Sequence, residues 1–191
     1  MQRLGRRRLS STAAPWFKDG LAFSCTKCGN CCSGQSGSVR FNDDEAATMA
    51  AKVGETVPAF LDKYTRRQGR GNLSFYQLKE VRKNKDDGFD CIFLDRKKIR
   101  GKAVCSLYDA RPTQCRTWPF WPETLETRAT WEKTKDSCPG INKGTKQSTD
   151  DVSAKVAATV AWRRSLQYKA PLKRGSRAAP AVAVDTKVAA E

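Results

Sequence analysis

The chain has 191 residues, of which 39% are hydrophobic and 29% charged, with a formal net charge of +16 and no histidine. This length holds one domain with a sizeable core plus extensions, and the modest apolar content argues against two independently packed domains. The lack of histidine excludes mixed cysteine–histidine zinc sites, Rieske-type ligation and cysteine–histidine nucleophilic dyads, and no stretch approaches the ~18 apolar residues of a membrane span.

Residues 1–19 carry Arg3, Arg6, Arg7 and Arg8 among hydroxyl residues, with no acid before Asp19. That is the composition of an organellar transit peptide, mitochondrial sooner than plastid, with a plain basic arm as the competing reading. Neither reading implies export, so disulfides lose ground to metal ligation for the eight cysteines.

Four of those cysteines fall in CTKCGNCC: Cys25, Cys28, Cys31 and Cys32. The C-x2-C-x2-C spacing turns successive sulfurs toward one point, and Gly29 relieves the tight backbone. Soft thiolates at such spacing suit zinc, iron or an iron–sulfur cluster. The adjacent pair Cys31–Cys32 is foreign to ferredoxin ligation, so one of the two is expected to face a second metal or the core.

After the polar spacer SGQSGS, Asn42 with Glu45 forms a capping-box signature and starts a helix that Gly54 stops. A second helix begins near Pro58 and runs on through Arg66 and Arg67, ending before Gly69. Residues 73–81 read as a strand, and KNKDDG as a turn. Strands at 91–95 and 103–108 are expected to pair as a hairpin around Gly101, bringing Cys91 near Cys105. TWPFWPE reads as a rigid loop against the metal region, with Trp118, Phe120 and Trp121 covering the cluster from water. LETRATWEK reads as one more strand before Cys138-Pro139-Gly140. Residues 150–169 form a helix whose apolar stripe is Val152, Val156 and Val160. Arg163 and Arg164 lie on the stripe's continuation, so the helix end is expected to leave the body. Residues 170–191 read as a disordered basic tail.

Together CTKCGNCC, DCIFLD, VCSLYDARPTQCRTWPF and CPGINKG resemble the YkgJ-type cysteine-cluster family, a zinc- or iron-chelating CxxCxxCC domain. The resemblance covers roughly residues 24–144 and takes in all eight cysteines. It implies metal ligands among Cys25, Cys28, Cys31, Cys32, Cys91, Cys105, Cys115 and Cys138, with zinc or iron, or an iron–sulfur cluster, as the cofactor. It also singles out Arg111 and Arg116, expected to neutralise the cluster or grip an anionic ligand, or else to bond Asp90 or Asp95.

The expected architecture is α+β: a small, metal-stabilised, loop-rich domain with a short antiparallel sheet and helices, plus basic extensions. Its segments are 1–19 for targeting, 20–144 for the cysteine cluster, 145–169 for a helix and 170–191 for the tail. The first function class is a metal-binding module, structural or iron-handling. The others are an RNA-contacting subunit of a mitochondrial ribonucleoprotein such as the ribosome, using the basic extensions, and an iron–sulfur redox enzyme or electron carrier. No residue pattern points to a catalytic group, which weighs against an enzyme.

Overall fold

The computed structural model describes residues 14–70, 74–83 and 88–167. Most of the targeting segment, the centre of the KNKDDG turn and the whole 170–191 tail lie outside them. The described chain is an α+β domain of short antiparallel pairings and five α-helices.

In chain order the elements are β1 (Leu21–Phe23), β2 (Ser33–Gly34), α1 (Asp43–Lys52), α2 (Val57–Tyr64), β3 (Thr65–Gln68) and β4 (Phe75–Leu78). They continue with β5 (Glu80–Arg82), β6 (Phe89–Cys91), β7 (Leu94–Asp95), β8 (Val104–Cys105) and α3 (Thr113–Thr117). The last three are α4 (Arg128–Lys133), β9 (Ile141–Gln147) and α5 (Thr149–Gln167). Strand β1 pairs with β9, β3 with β4, and β7 with β8, while β6 lies between β2 and β5.

Helix α1 begins as its sequence dictates. The Asn42 side chain accepts from the Glu45 N–H, and the Glu45 carboxylate accepts from the Asn42 N–H, each at 2.9 Å. Glu45 then does more than cap. It is buried, and it also accepts from the Thr113 N–H at 2.6 Å and from the Trp162 indole at 2.9 Å. One carboxylate thus joins the start of α1, the start of α3 and the far part of α5.

Four expectations are corrected. Helix α2 ends at Tyr64, and Thr65–Gln68 turn back as β3 on β4. The predicted strand 73–81 is broken at Lys79, whose ammonium bonds the Asp62 and Lys63 carbonyls at 2.8 and 2.7 Å. That satisfies carbonyls the end of α2 leaves without helical partners. The predicted strand in LETRATWEK is helix α4, because Thr127 and Thr130 close a reciprocal cap and Trp131 points into the core. Finally, α5 does not leave the body at its basic residues. Trp162 is buried, and Arg163 pairs with Glu123 while lying over the Trp121 ring. No helix among the described residues is long and apolar enough to cross a membrane.

Two apolar clusters hold this together. One gathers Phe41, Met49, Phe60, Leu78, Phe93 and Leu107, with Phe60 and Phe93 stacked at 6.1 Å. The other gathers Leu21, Phe120, Leu125, Trp131, Ile141 and Val152. Trp16 and Phe17 pack on the second, and the Trp16 indole donates to the Leu125 carbonyl at 2.8 Å. The last residues of the 1–19 segment therefore belong to the body.

Gly140 sits where the second cluster meets the cysteine loop. A Cβ there would lie 2.2 Å from the Ser24 carbonyl oxygen and 3.1 Å from the Phe23 ring. Gly140→Ala is expected to push β1 off β9 and to destabilise by about 2 kcal/mol or more, within the usual cost of overpacking. A melting temperature equal to the parent's would show that the strand pair yields freely.

Candidate metal centre

The cysteine loop docks by close backbone approach. Gly29 has φ 81° and a Cβ there would lie 2.6 Å from Ala103, so only glycine lets the loop settle on the β7–β8 hairpin. The Ala103 N–H donates to the Lys27 carbonyl at 2.7 Å, and Lys27 itself has φ 56°. On the other side, Asn30 donates to the Ser137 carbonyl at 3.1 Å, beside Cys138. A short 3-10 turn over Asn30–Cys32 then presents two sulfurs in succession.

The β7–β8 hairpin forms as expected, with Leu94 opposite Cys105. Cys91 comes near Cys105 as expected, but not through this hairpin, since the stretch 91–95 divides. Cys91 ends β6 opposite Glu80, and the chain turns at Ile92–Phe93 before β7 begins. Helix α3 carries Cys115, and Glu45 fixes its first turn through the Thr113 N–H.

The result is convergence. Cys25, Cys28, Cys31, Cys32, Cys105, Cys115 and Cys138 all line one cavity of about 650 Å³. The eighth, Cys91, does not line it but is close enough to feel Cys31, Cys32, Cys105 and Cys115 electrostatically. Trp118 and Trp121 form part of the wall, ring to ring at 4.8 Å, as the aromatic loop led us to expect. Phe120 does not. It is in the core, stacked on Trp131 at 5.6 Å.

The expected bonds from the two arginines to Asp90 or Asp95 are not made. Asp90 takes Arg96 in a bidentate pair at 2.8 and 2.9 Å, with Lys83 at 3.3 Å. Asp95 accepts from the N–H groups of Lys97 and Lys98. Arg116 donates to the Thr113 hydroxyl, while Arg111 lies over the Tyr108 ring and lines the cavity.

Arg96, with Lys83 beside it, holds the Asp90 carboxyl below its ordinary value of 3.8. A depressed carboxylate stabilises the fold above its unfolded pKa, and that stabilisation is lost as pH falls through the folded one. Asp90→Asn is accordingly expected to be less stable than the parent at neutral pH and to converge with it in strong acid, as followed by urea unfolding. A constant difference across that range would contradict the pairing.

The thiols are not equivalent. Cys31 and Cys32 have their sulfurs 3.7 Å apart. The hydrogen bond from Cys32 draws Cys31 down to about 7, with Arg111 helping against burial. The same contact, and then burial, push Cys32 up. Burial pushes Cys91 up to about 11 and raises Cys105, Cys115 and Cys138 as well.

Whether this wall suits a metal is decided by its donors. Among the described residues no three thiols or carboxylates are already drawn in around one point. The donor chemistry nonetheless fits a thiolate-bound ion on two counts. Two thiolates on one tetrahedral zinc are about 3.8 Å apart, given zinc–sulfur bonds of about 2.3 Å, and Cys31 and Cys32 already stand at 3.7 Å. The separation of Cys31 and Cys32 is thus one that two thiolates on a single ion would have. In addition, the Trp118 indole N–H is buried with no hydrogen-bond partner among the described residues. It lies beside Cys138, where it favours the thiolate over the thiol. Indole is a donor only, and a buried donor left unmet calls for an acceptor that a metal-bound thiolate supplies better than a thiol.

Comparison with known proteins agrees with this chemistry. Residues 24–139 match the CxxCxxCC family, described as "Putative zinc- or iron-chelating domain". An uncharacterised protein of Methanocaldococcus jannaschii is 31% identical over 104 residues, which cover 54% of this chain and 48% of that protein. The chain thus spans about half the length of that curated relative. No solved structure matches. The chain belongs to the CxxCxxCC family.

Proposed function

We propose that this protein holds zinc or iron in an all-thiolate centre at this cavity, the ion serving to lock the fold or being handled as cargo. The observation that carries the reading is that seven cysteines, from Cys25 to Cys138, open into one cavity. Cys31 and Cys32 touch each other at 3.7 Å, Cys32 also feels Cys91 and Cys115, and Cys138 feels Cys28 and Cys31. A bound ion would supply a cross-link between segments far apart in sequence, and its binding energy would become folding energy.

The chain's own residues prepare that step. Gly29 seats the loop on the hairpin, Glu45 sets the helix that carries Cys115, and Trp118 offers its N–H beside Cys138. Carboxylate-rich iron chemistry is disfavoured, since no Asp or Glu among the described residues lines the cavity.

Elemental analysis of protein purified without oxygen, together with its absorption spectrum, tests the proposal. Zinc or iron bound in stoichiometric amount is expected. A colourless zinc protein would remove the redox-cluster alternative, and a brown one that bleaches on reduction would favour it. Folded, metal-free protein with eight freely alkylated thiols would refute the reading.

The arginine-rich start supports a mitochondrial address as part of the same proposal. Residues 1–14 fused to a fluorescent reporter are expected to direct it to mitochondria. A diffuse cytosolic signal would reduce that segment to a basic arm.

A further inference from the structure

The cavity has more room and more positive charge than a thiolate-bound ion uses. Its volume of about 650 Å³ falls among small-molecule sites, which run roughly 300–1,000 Å³. Much of the wall is apolar, including Val39, Leu94 and Ile99, and Ile99 is a large hydrophobic residue left 42% exposed at the mouth. Arg111, Lys98 and Lys27 also line it.

Arg111 is held in place by its own turn. Its Nε donates to the Tyr108 carbonyl at 2.8 Å, and its guanidinium carbon lies 3.8 Å from the centre of the Tyr108 ring. These contacts occupy Nε and one face. The terminal nitrogens have no carboxylate partner among the described residues. A guanidinium fixed in this way is a planar fork already arranged for an oxyanion. Lys98 stands on the exposed turn between β7 and β8. Its ammonium makes no ion pair among the described residues, although Asp95 accepts its backbone N–H and feels its charge, while Asp90 pairs with Arg96 and Lys83.

We infer that the cavity binds a small molecule with an apolar body and a carboxylate or phosphate group, the oxyanion gripped by Arg111 and drawn in by Lys98. This deepens the metal-centre reading, and rests on it for the role of the sulfur wall. The apolar body would lie on Leu94 and Ile99, leaving the thiols at the back of the cavity free to hold the ion. The rival account gives Arg111 no ligand at all, only the task of offsetting negative charge on metal-bound thiolates.

The experiment uses the full-length protein as purified, with its metal counted, and titrates it with benzoate, phenyl phosphate and neutral benzamide by calorimetry or ligand-detected NMR. At least one of the two anions is expected to bind, and the tighter one identifies carboxylate or phosphate as the preferred group. Benzamide is expected to bind about tenfold more weakly or not at all, as loss of a charge-assisted bidentate contact implies. Arg111→Met is expected to weaken the anion by about tenfold or more with metal content retained. Lys98→Glu, on the exposed turn, is expected to weaken it severalfold and keeps the inference testable if Arg111→Met misfolds.

Equal affinity for benzamide, indifference to both substitutions, or no anion bound at roughly 10 mM, well above the affinity such fragments reach in a formed site, would overturn the inference. So would an Arg111→Met protein that loses metal but keeps the anion, since Arg111 would then belong to the metal's charge balance. Anion binding by protein that never takes up metal would sustain the inference while removing the metal-centre reading.

Discussion

Cys32→Ser is expected to lose bound metal and to unfold at a much lower temperature than the parent, with a cost of several kcal/mol, because a structural ion's binding energy is folding energy. Serine keeps the size of cysteine and removes the thiolate, so packing contributes little to the change. The position is chosen because Cys32 faces Cys31 at 3.7 Å and senses Cys91 and Cys115. A control separates ligation from packing: after chelation, parent and variant are expected to melt together. Parent-like metal content and melting temperature in the variant would exclude Cys32 from the ligands.

Glu45→Ala is the second large effect. The carboxylate is buried and accepts from three N–H groups, those of Asn42, Thr113 and Trp162. Removing it strands these donors, at least one of them in the interior, for a cost of about 3–5 kcal/mol. In a domain of this size that lowers Tm by on the order of 10 °C. Glu45→Gln is the informative companion. An amide has one acceptor oxygen in place of two, so it is expected to recover part of the loss and not all of it. Because the Thr113 N–H begins the helix that carries Cys115, the alanine variant is also expected to bind metal less tightly. Full stability in the alanine variant would mean that water replaces the carboxylate at all three donors.

These two sites differ in how far the sequence disclosed them. The cysteines were legible because eight thiols in a chain without histidine admit few chemistries, and because CTKCGNCC places four of them within a loop's reach. The capping box at Asn42 was legible for a similar reason, since both partners lie within one helical turn. Glu45's other bonds were not. Its partners Thr113 and Trp162 are 68 and 117 residues away, and nothing local to a glutamate at N3 tells a cap from a hub. Trp162 is buried on the face of α5 that also buries Val152 and Thr159, beside and not along the Val152–Val156–Val160 stripe. The adjacent arginines suggested solvent, because their partners, Glu123 and the Trp121 ring, are brought by another segment.

The short strands were misread where local pattern and tertiary demand conflict. Residues 125–133 alternate well enough for a strand, but a reciprocal Thr127–Thr130 cap starts a short helix there, and that helix buries Trp131. The stretch 73–81 is apolar enough for one strand, yet Lys79 is needed at the end of α2, and its backbone N–H bonds Tyr64.

By itself the sequence determined the donor chemistry, the α+β character and the places where α1, α2 and α5 start, because thiolate softness, capping and hydrophobic period act over a few residues. The tertiary structure alone decided that Cys105, Cys115 and Cys138 meet the cysteine loop at one cavity, that Arg111 looks into it, and that Glu45 joins three helices. Those are contacts across long sequence separations, fixed by how two apolar clusters pack, and no local preference encodes which distant partner a side chain will find.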